Sequence, residues 1–277
     1  LADPQAEGLL VVRSDKTGQV IRIAQTRLKD EPRPLRLSYG GQVLRAKGSQ
    51  LRPERQFTQV GVELIGVPEG SESRALIEIV DLCMTALGDA GVPDVTVDLT
   101  LPQVARAAAQ ADPVLIQALN ERNAALAETA TATAGEAVRE VVSLISAFGP
   151  WRGAVTLMDK VKGGKAWREL ESVAEAVETR HPSVEVLVDP AELRGFDYHT
   201  GLSFVLYAKG VRGELGRGGL YQAGEEQAAG FTLYMDSVLR AVPAQTPPEK
   251  VSVAADTDIN EVARRRAAGE IVVVDLA

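Results

Sequence analysis

The run Phe57-Thr58-Gln59-Val60-Gly61-Val62-Glu63-Leu64-Ile65 constrains this chain more than any other stretch. Side chains on a β-strand alternate faces with period two, so Gln59, Gly61 and Glu63 share one face. Thr58, Val60, Val62 and Leu64 share the other, which is mostly apolar and suits packing against helices. An amide, a gap and a carboxylate in a row suit a small polar ligand. Gly61 lets a group approach the backbone, and Glu63 accepts from a ligand N–H. A charge-assisted bond of that kind contributes roughly 1.5–3 kcal/mol. On spacing alone, an ordinary strand with one wet face explains the pattern at least as well.

The surrounding pattern predicts a strand at 8–12, a helix at 17–28, strands at 35–45 and 57–65, a helix at 73–90 and a strand at 95–101. The polar stretch 47–54 between the second and third strands suggests an antiparallel hairpin. Residues 101–179 are rich in alanine and helix formers, and three or four helices are expected there. Asp112-Pro113 is a helix start, with Asp as cap and Pro at the first helical position. A strand at 184–188, a turn-rich segment at 189–201 and a strand at 203–209 follow. Residues 210–224 are glycine-rich. A strand at 229–233 runs into a helix at 235–242, and prolines at 243, 247 and 248 mark a linker. The tail reads as strand 251–254, helix 260–268 and strand 271–275.

The net charge of −8 disfavours a polyanion as partner. Two histidines and one cysteine are too few for the usual zinc site, and no metal or cofactor is expected. Cys83 lies in a helical pattern and reads as a buried thiol. With no secretory segment or spanning apolar run, a cytoplasmic protein without membrane contact is expected. The opening Leu1-Ala2-Asp3-Pro4 reads like the middle of a domain, with a segment upstream. His181, before Pro182, reads as a solvated loop residue. Gly216-Arg217-Gly218-Gly219-Leu220-Tyr221 and Gly163-Gly164-Lys165-Ala166 fail as dinucleotide and phosphate-loop motifs. Arg264-Arg265-Arg266 suits the end of a helix better than nucleic acid.

Several motifs match one family in its own order over about residues 1–242. Arg45, the loop, and Arg55 to Glu63 resemble motif 2 of class II aminoacyl-tRNA synthetases, in its histidyl form. Leu193-Arg194-Gly195-Phe196-Asp197-Tyr198-His199-Thr200-Gly201 resembles the histidine-specific L-V-R-G-L-D-Y-Y. Val12-Arg13-Ser14-Asp15-Lys16-Thr17 is similar to L-R-P-E-G-T. Arg217-Gly218-Gly219-Leu220-Tyr221 echoes G-G-R-Y-D, and Ala229-Gly230-Phe231-Thr232 stands where motif 3 begins. The resemblance implies an α+β fold, a class II aminoacyl-tRNA synthetase-like antiparallel sheet flanked by helices. Its core would span 1–101 and 181–242, with a helical insertion at 102–180 and a short C-terminal βαβ-like appendage at 249–277.

It also implies roles. Glu63 and Gln59 would face bound histidine. Asp15 and Thr17 would hold its α-amino group, and Arg194 its carboxylate. Tyr198 and His199 would flank the imidazole, with His199 replacing a Tyr. Arg45 and Arg55 match positions that handle ATP and the α-phosphate, as an anion-binding remnant.

The departures point away from catalysis. Adenylation builds negative charge that preorganised cations stabilise. Where motif 3 of the enzymes ends in G-L-E-R, this chain has Tyr234-Met235-Asp236-Ser237, and Leu220 replaces a further arginine. Residues 242–277 are too few for an anticodon-binding domain, so tRNA is not expected as partner. The combination is most similar to the regulatory subunit of ATP phosphoribosyltransferase, a histidyl-tRNA synthetase paralogue. That resemblance implies a non-catalytic subunit that partners a short-form catalytic subunit in the first step of histidine biosynthesis and its feedback regulation by histidine. Self-association through the class II core is implied as well. The alternatives are an active histidyl-tRNA synthetase-like ligase and a scaffold with a vestigial pocket.

Overall fold

The computed structural model describes residues 12–46, 54–130, 135–158, 161, 164–193, 195, 198–244 and 249–275. The expected strand at 8–12 falls almost wholly outside them. The two predicted hairpin strands are β1 (Leu35–Leu44) and β2 (Gln56–Ile65), paired antiparallel in one unbroken register. Helix α1 (Thr17–Thr26) precedes them, and α2 (Glu72–Asp89) and β3 (Val95–Thr100) follow. Among the described residues, 102–180 carry α3 (Pro102–Ala109), α4 (Pro113–Glu121), α5 (Ala124–Ala127), α6 (Gly135–Ser146), α7 (Trp151–Met158) and α8 (Gly164–Arg180). That is more helices than the composition suggested, because short loops divide the segment. It also contains a two-residue strand, β4 (Gly149–Pro150). The Asp112 cap forms as expected, its carboxylate accepting from the Val114 and Leu115 amides.

The remaining elements of the first compact unit, Leu1–Val242, are β5 (Glu185–Val188), β6 (His199–Ala208), β7 (Gly216–Ala223), β8 (Glu226–Tyr234) and α9 (Met235–Ala241). One sheet runs β1-β2-β8-β7-β6-β3-β5-β4. All its pairings are antiparallel except β3 with β5, where the chain returns through α3–α8 and so arrives parallel. The glycine-rich stretch 210–224 contains the central strand β7. A Cβ on Gly216 or Gly218 would collide with carbonyls of β8 and, at Gly218, with the Phe204 ring, so glycine is what lets β7 lie between its neighbours.

The two sheet faces differ. On one, Leu64, Val97, Leu99, Phe204, Leu206, Leu220, Phe231 and Leu233 join α2, α3, α6 and α8 in the main apolar core. Cys83 of α2 is fully buried there, and burial alone pushes its thiol up. Val62 packs against this core, whereas Val60 stays exposed, contrary to its expected burial. His181 is likewise not a solvated loop residue. Its Nε2 lies 2.9 Å from the Asp81 carboxylate of α2, and its side chain is mostly covered. The opposite face carries a small cluster in which Val20 and Ala24 of α1 meet Ile65, Tyr221, Ala223 and Ala228.

The second unit, Pro243–Ala277, holds β9 (Lys250–Val253), α10 (Ile259–Ala267) and β10 (Ile271–Val274). Its strands pair in parallel across the helix, giving the expected βαβ form. Arg265 pairs with Glu270, and Arg266 donates to the Val272 carbonyl, so the arginines brace the end of α10.

Candidate functional site

Strand register lays out the second face as rows. One row is Tyr39, Gly61, Thr232, Arg217, Val205 and Asp98. The next is Leu37, Glu63, Gly230, Gly219, Ser203 and Thr100. Directly opposed residues share a face. Glu63 therefore stands beside two glycines, and its carboxylate lies over Gly230, where a Cβ would run into Oε2. The missing side chains of β7 and β8 leave room for the Glu63 carboxylate over Gly230 and for His199 and Ser203 over Gly219.

Glu63 and Gln59 are both only 1 % exposed. Tyr221 donates to Glu63 Oε2 at 2.8 Å and Thr17 to Oε1 at 2.9 Å. Gln59 donates to Asp15 at 2.9 Å and accepts from the Lys16 amide at 3.2 Å. Asp15 also accepts from the Thr17 amide at 2.8 Å. The segment leading into α1 is thus tied to β2 at two alternate positions, and Asp15, Thr17, Gln59 and Glu63 form one group. Burial pushes Glu63 up to about 7, and the Asp15 charge adds to this. Hydrogen bonds from Tyr221, Thr17 and Tyr39 oppose the rise.

Gly61 does not leave its space to a ligand. The Tyr39 ring fills it, and a Cβ there would collide with that ring and with the Phe231 carbonyl. The Tyr39 hydroxyl lies 3.1 Å from that of Thr17 and 2.6 Å from that of Thr232, joining α1, β1 and β8. Tyr39 belongs to none of the family motifs, but an antiparallel β1–β2 hairpin puts a β1 side chain opposite Gly61. Tyr221 carries no expected role either, yet its hydroxyl is a donor to Glu63.

His199 and Tyr198 come to the same end of the face but not as equals. His199 is buried, with its Cδ2 2.8 Å from where a Gly219 Cβ would stand. Burial holds its pKa down to about 3, helped by the Arg217 and Arg106 charges, so the ring is neutral at ordinary pH. Tyr198 is 59 % exposed, tilted over His199 with ring centroids 4.2 Å apart and edge-on to Tyr221 at 6.2 Å. Arg194 lies outside the described residues. Its neighbour Gly195 accepts from Arg217 at 2.8 Å.

The two motif 2 arginines sit apart from this group. Arg45 lies over the Phe57 ring at 5.0 Å and over the Tyr234 ring at 6.0 Å. Arg55 is exposed and donates to the Arg45 carbonyl at 3.1 Å, bracing the hairpin. Tyr234 is buried, packed edge-on against Phe57 at 5.7 Å with Val43 beside them. Ser237 is buried in α9, where Arg240 donates to it at 3.2 Å. Leu220 corrects an expectation. It alternates onto the helix-covered face and joins the apolar core, so it replaces no cation on the Glu63 face.

An antiparallel sheet with this cradle defines a class II synthetase-like domain, and the histidyl-tRNA synthetase family model matches residues 1–238. The ATP phosphoribosyltransferase regulatory subunit of Rhodospirillum centenum is 45% identical over 283 residues, covering 97% of this chain and 72% of that protein. The chain belongs to the family of ATP phosphoribosyltransferase regulatory subunits. Among solved structures, an ATP phosphoribosyltransferase regulatory subunit/histidyl-tRNA synthetase from Bacillus halodurans superposes with a TM-score of 0.76 at 25% identity, over 95% of this chain and 73% of that one. A chain of the ATP phosphoribosyl transferase (HisG:HisZ) complex from Thermotoga maritima shares the fold, with a TM-score of 0.64 at 18% identity and 81% of each chain covered.

Proposed function

We propose that this protein is a non-catalytic regulatory subunit of ATP phosphoribosyltransferase. It assembles with a short-form catalytic subunit and couples the first step of histidine biosynthesis to the histidine level. Histidine occupies the Glu63 face. Asp15, Thr17 and Gln59 take its ammonium group, Glu63 accepts from the imidazole, and Tyr198 and His199 flank the ring. Arg194 takes the carboxylate, and self-association uses the class II core.

The observation that carries the non-catalytic reading is Tyr234. It stands where the motif 3 of active synthetases has glycine, and its buried ring packs with Phe57 and Val43 under Arg45. A nucleotide base and its phosphates need room and free cations there. Here a side chain takes the room, and the guanidinium rests on two aromatic rings. The companion change from arginine to Ser237 removes a further cation. Losing such groups costs several kcal/mol of transition-state stabilisation.

The test has two arms. Mixing the full-length protein with a short-form catalytic subunit is expected to change that subunit's activity and oligomeric state, with histidine reversing the activation. Histidine-dependent ATP–pyrophosphate exchange by the protein alone is expected to be absent. A robust exchange signal overturns the reading in favour of a ligase. No response of the catalytic subunit overturns it in favour of a scaffold.

A further inference from the structure

The stretch of β6 that brings His199 to the polar face also walls a second space on its other side. A cavity of about 280 Å³ lies at the seam between α2, α3 and α8 and strands β6–β8. Its floor is apolar, with Leu101, Leu202 and Leu220. Its wall carries Glu72 and Glu169, whose side chains are only 18% and 14% exposed. Their cation partner among the described residues is Lys165, which is 70% exposed and reaches them at 3.8 and 3.5 Å, beyond good hydrogen-bond length. Two sparsely hydrated carboxylates sharing one solvent-facing ammonium leave a negative wall above an apolar floor. The volume falls just below the range of about 300–1,000 Å³ typical of whole small-molecule sites. It suits one long side chain.

We infer that this cavity receives an arginine side chain of the catalytic partner. Its aliphatic stem lies on Leu101, Leu202 and Leu220, and its guanidinium bridges Glu72 and Glu169. A planar fork with five N–H donors serves two carboxylates at once, which a lysine ammonium does less well. An arginine anchored in a pocket is also a common energetic centre of protein interfaces. The place matters for regulation. Gln103 of α3, on the cavity wall, donates to the His199 carbonyl, and Gln227 of β8 donates to Thr200. The register of β6 against β7 shifts between His199 and Ser203, so this piece of strand is already irregular. Ligand at His199 and partner in the cavity would press on opposite sides of the same few residues.

The inference rests on the proposed partnership with a catalytic subunit, and the test separates the two. Binding of the full-length protein to a short-form catalytic subunit is measured by biolayer interferometry, and histidine binding by calorimetry. Leu220→Arg supplies a guanidinium to the cavity from within. It is expected to weaken partner binding at least about tenfold, as loss of one central anchor does, while leaving histidine affinity within about twofold. If Leu220→Arg does not fold, judged by its thermal melt, the Glu72→Gln/Glu169→Gln double variant decides with the same expected loss. Partner binding unchanged in a folded variant overturns the inference and leaves the regulatory reading intact. Failure of the unsubstituted protein to bind the catalytic subunit overturns both.

Discussion

Replacing Glu63 by glutamine tests the electrostatics of the pocket most directly. Glu63 is almost fully buried, and its pKa rises from 4.5 to about 7, mainly through burial. Each pK unit is about 1.36 kcal/mol, so the shift corresponds to about 3 kcal/mol. The folded state holds the Glu63 proton more tightly than the unfolded chain. This contribution is therefore fully present below about pH 4.5, declines between 4.5 and 7, and is lost above 7. The groups that set the shift come from every element around it: Asp15 before α1, Tyr39 on β1, Tyr221 on β7 and Thr17 at the start of α1. Glu63→Gln keeps the shape and cannot ionise. Urea denaturation of both proteins from pH 4.5 to 8.5 gives the difference in unfolding free energy at each pH. That difference is expected to move in favour of the variant by about 3 kcal/mol across the range. The comparison cancels Asp98, which burial and the Asp189 charge also push up to about 7. A difference flat with pH would refute the reasoning, since Glu63 would then titrate as a solvated carboxylate. Histidine binding should move the other way. At pH 8 the variant is expected to lose roughly 1.5–3 kcal/mol of affinity, about 10- to 150-fold by calorimetry.

Tyr39→Phe removes the hydroxyl between Thr17 and Thr232 and is expected to cost about 1–2 kcal/mol in urea titrations, because those hydroxyls lose a mostly buried partner. Arg122→Met strips the guanidinium that binds Asp189 and Glu192, leaving Asp189 beside Asp98. A loss of about 3 kcal/mol at pH 7 is expected, smaller at pH 5 where protonation relieves the carboxylates. His199 is held down to about 3, so the pH dependence of histidine binding between 5 and 8 should contain no step from it. His199→Gln is therefore expected to change affinity and to leave the midpoint of that pH profile in place; a shifted midpoint in calorimetry would show that His199 titrates in this range.

Period two made β2 legible, since it puts an amide and a carboxylate on one face and mostly apolar residues on the other, while the expected gap at Gly61 is taken by the Tyr39 ring. The order of the family motifs then singled out Asp15, Thr17 and His199, which the fold brings to one face of the sheet. What stayed hidden depends on pairing. Glycine reads as turn, so β7 was invisible until β6 and β8 filled the spaces its Cβ atoms would need. Once β7 was missed, the alternation that turns Leu220 away from Gly219 and Tyr221 was missed as well. His181 finds Asp81 a hundred positions earlier, and no local pattern marks that contact. The parallel seat of β5 follows from the return through α3–α8, which composition alone does not specify.

Asp15, Gln59, Thr17 and Glu63 bond to one another, and on the proposed histidine reading this shapes what the ligand would gain. An incoming ammonium would share Asp15 with the Gln59 and Thr17 donors, and an imidazole N–H would share the Glu63 carboxylate with Tyr221 and Thr17. Exchanged hydrogen bonds net only about 0.5–1.5 kcal/mol each, so such a pocket would favour reversible, moderate binding over capture. An enzyme that commits its amino acid by adenylation does not need easy release. A sensor does, since it must empty when the concentration falls. At the other end of the face, Tyr234 and Phe57 hold Arg45 over their rings and occupy the space in which commitment would happen. On the proposed reading, a self-satisfied Glu63 group beside the ring-filled space under Arg45 would turn the features of a synthetase toward reading the level of the amino acid.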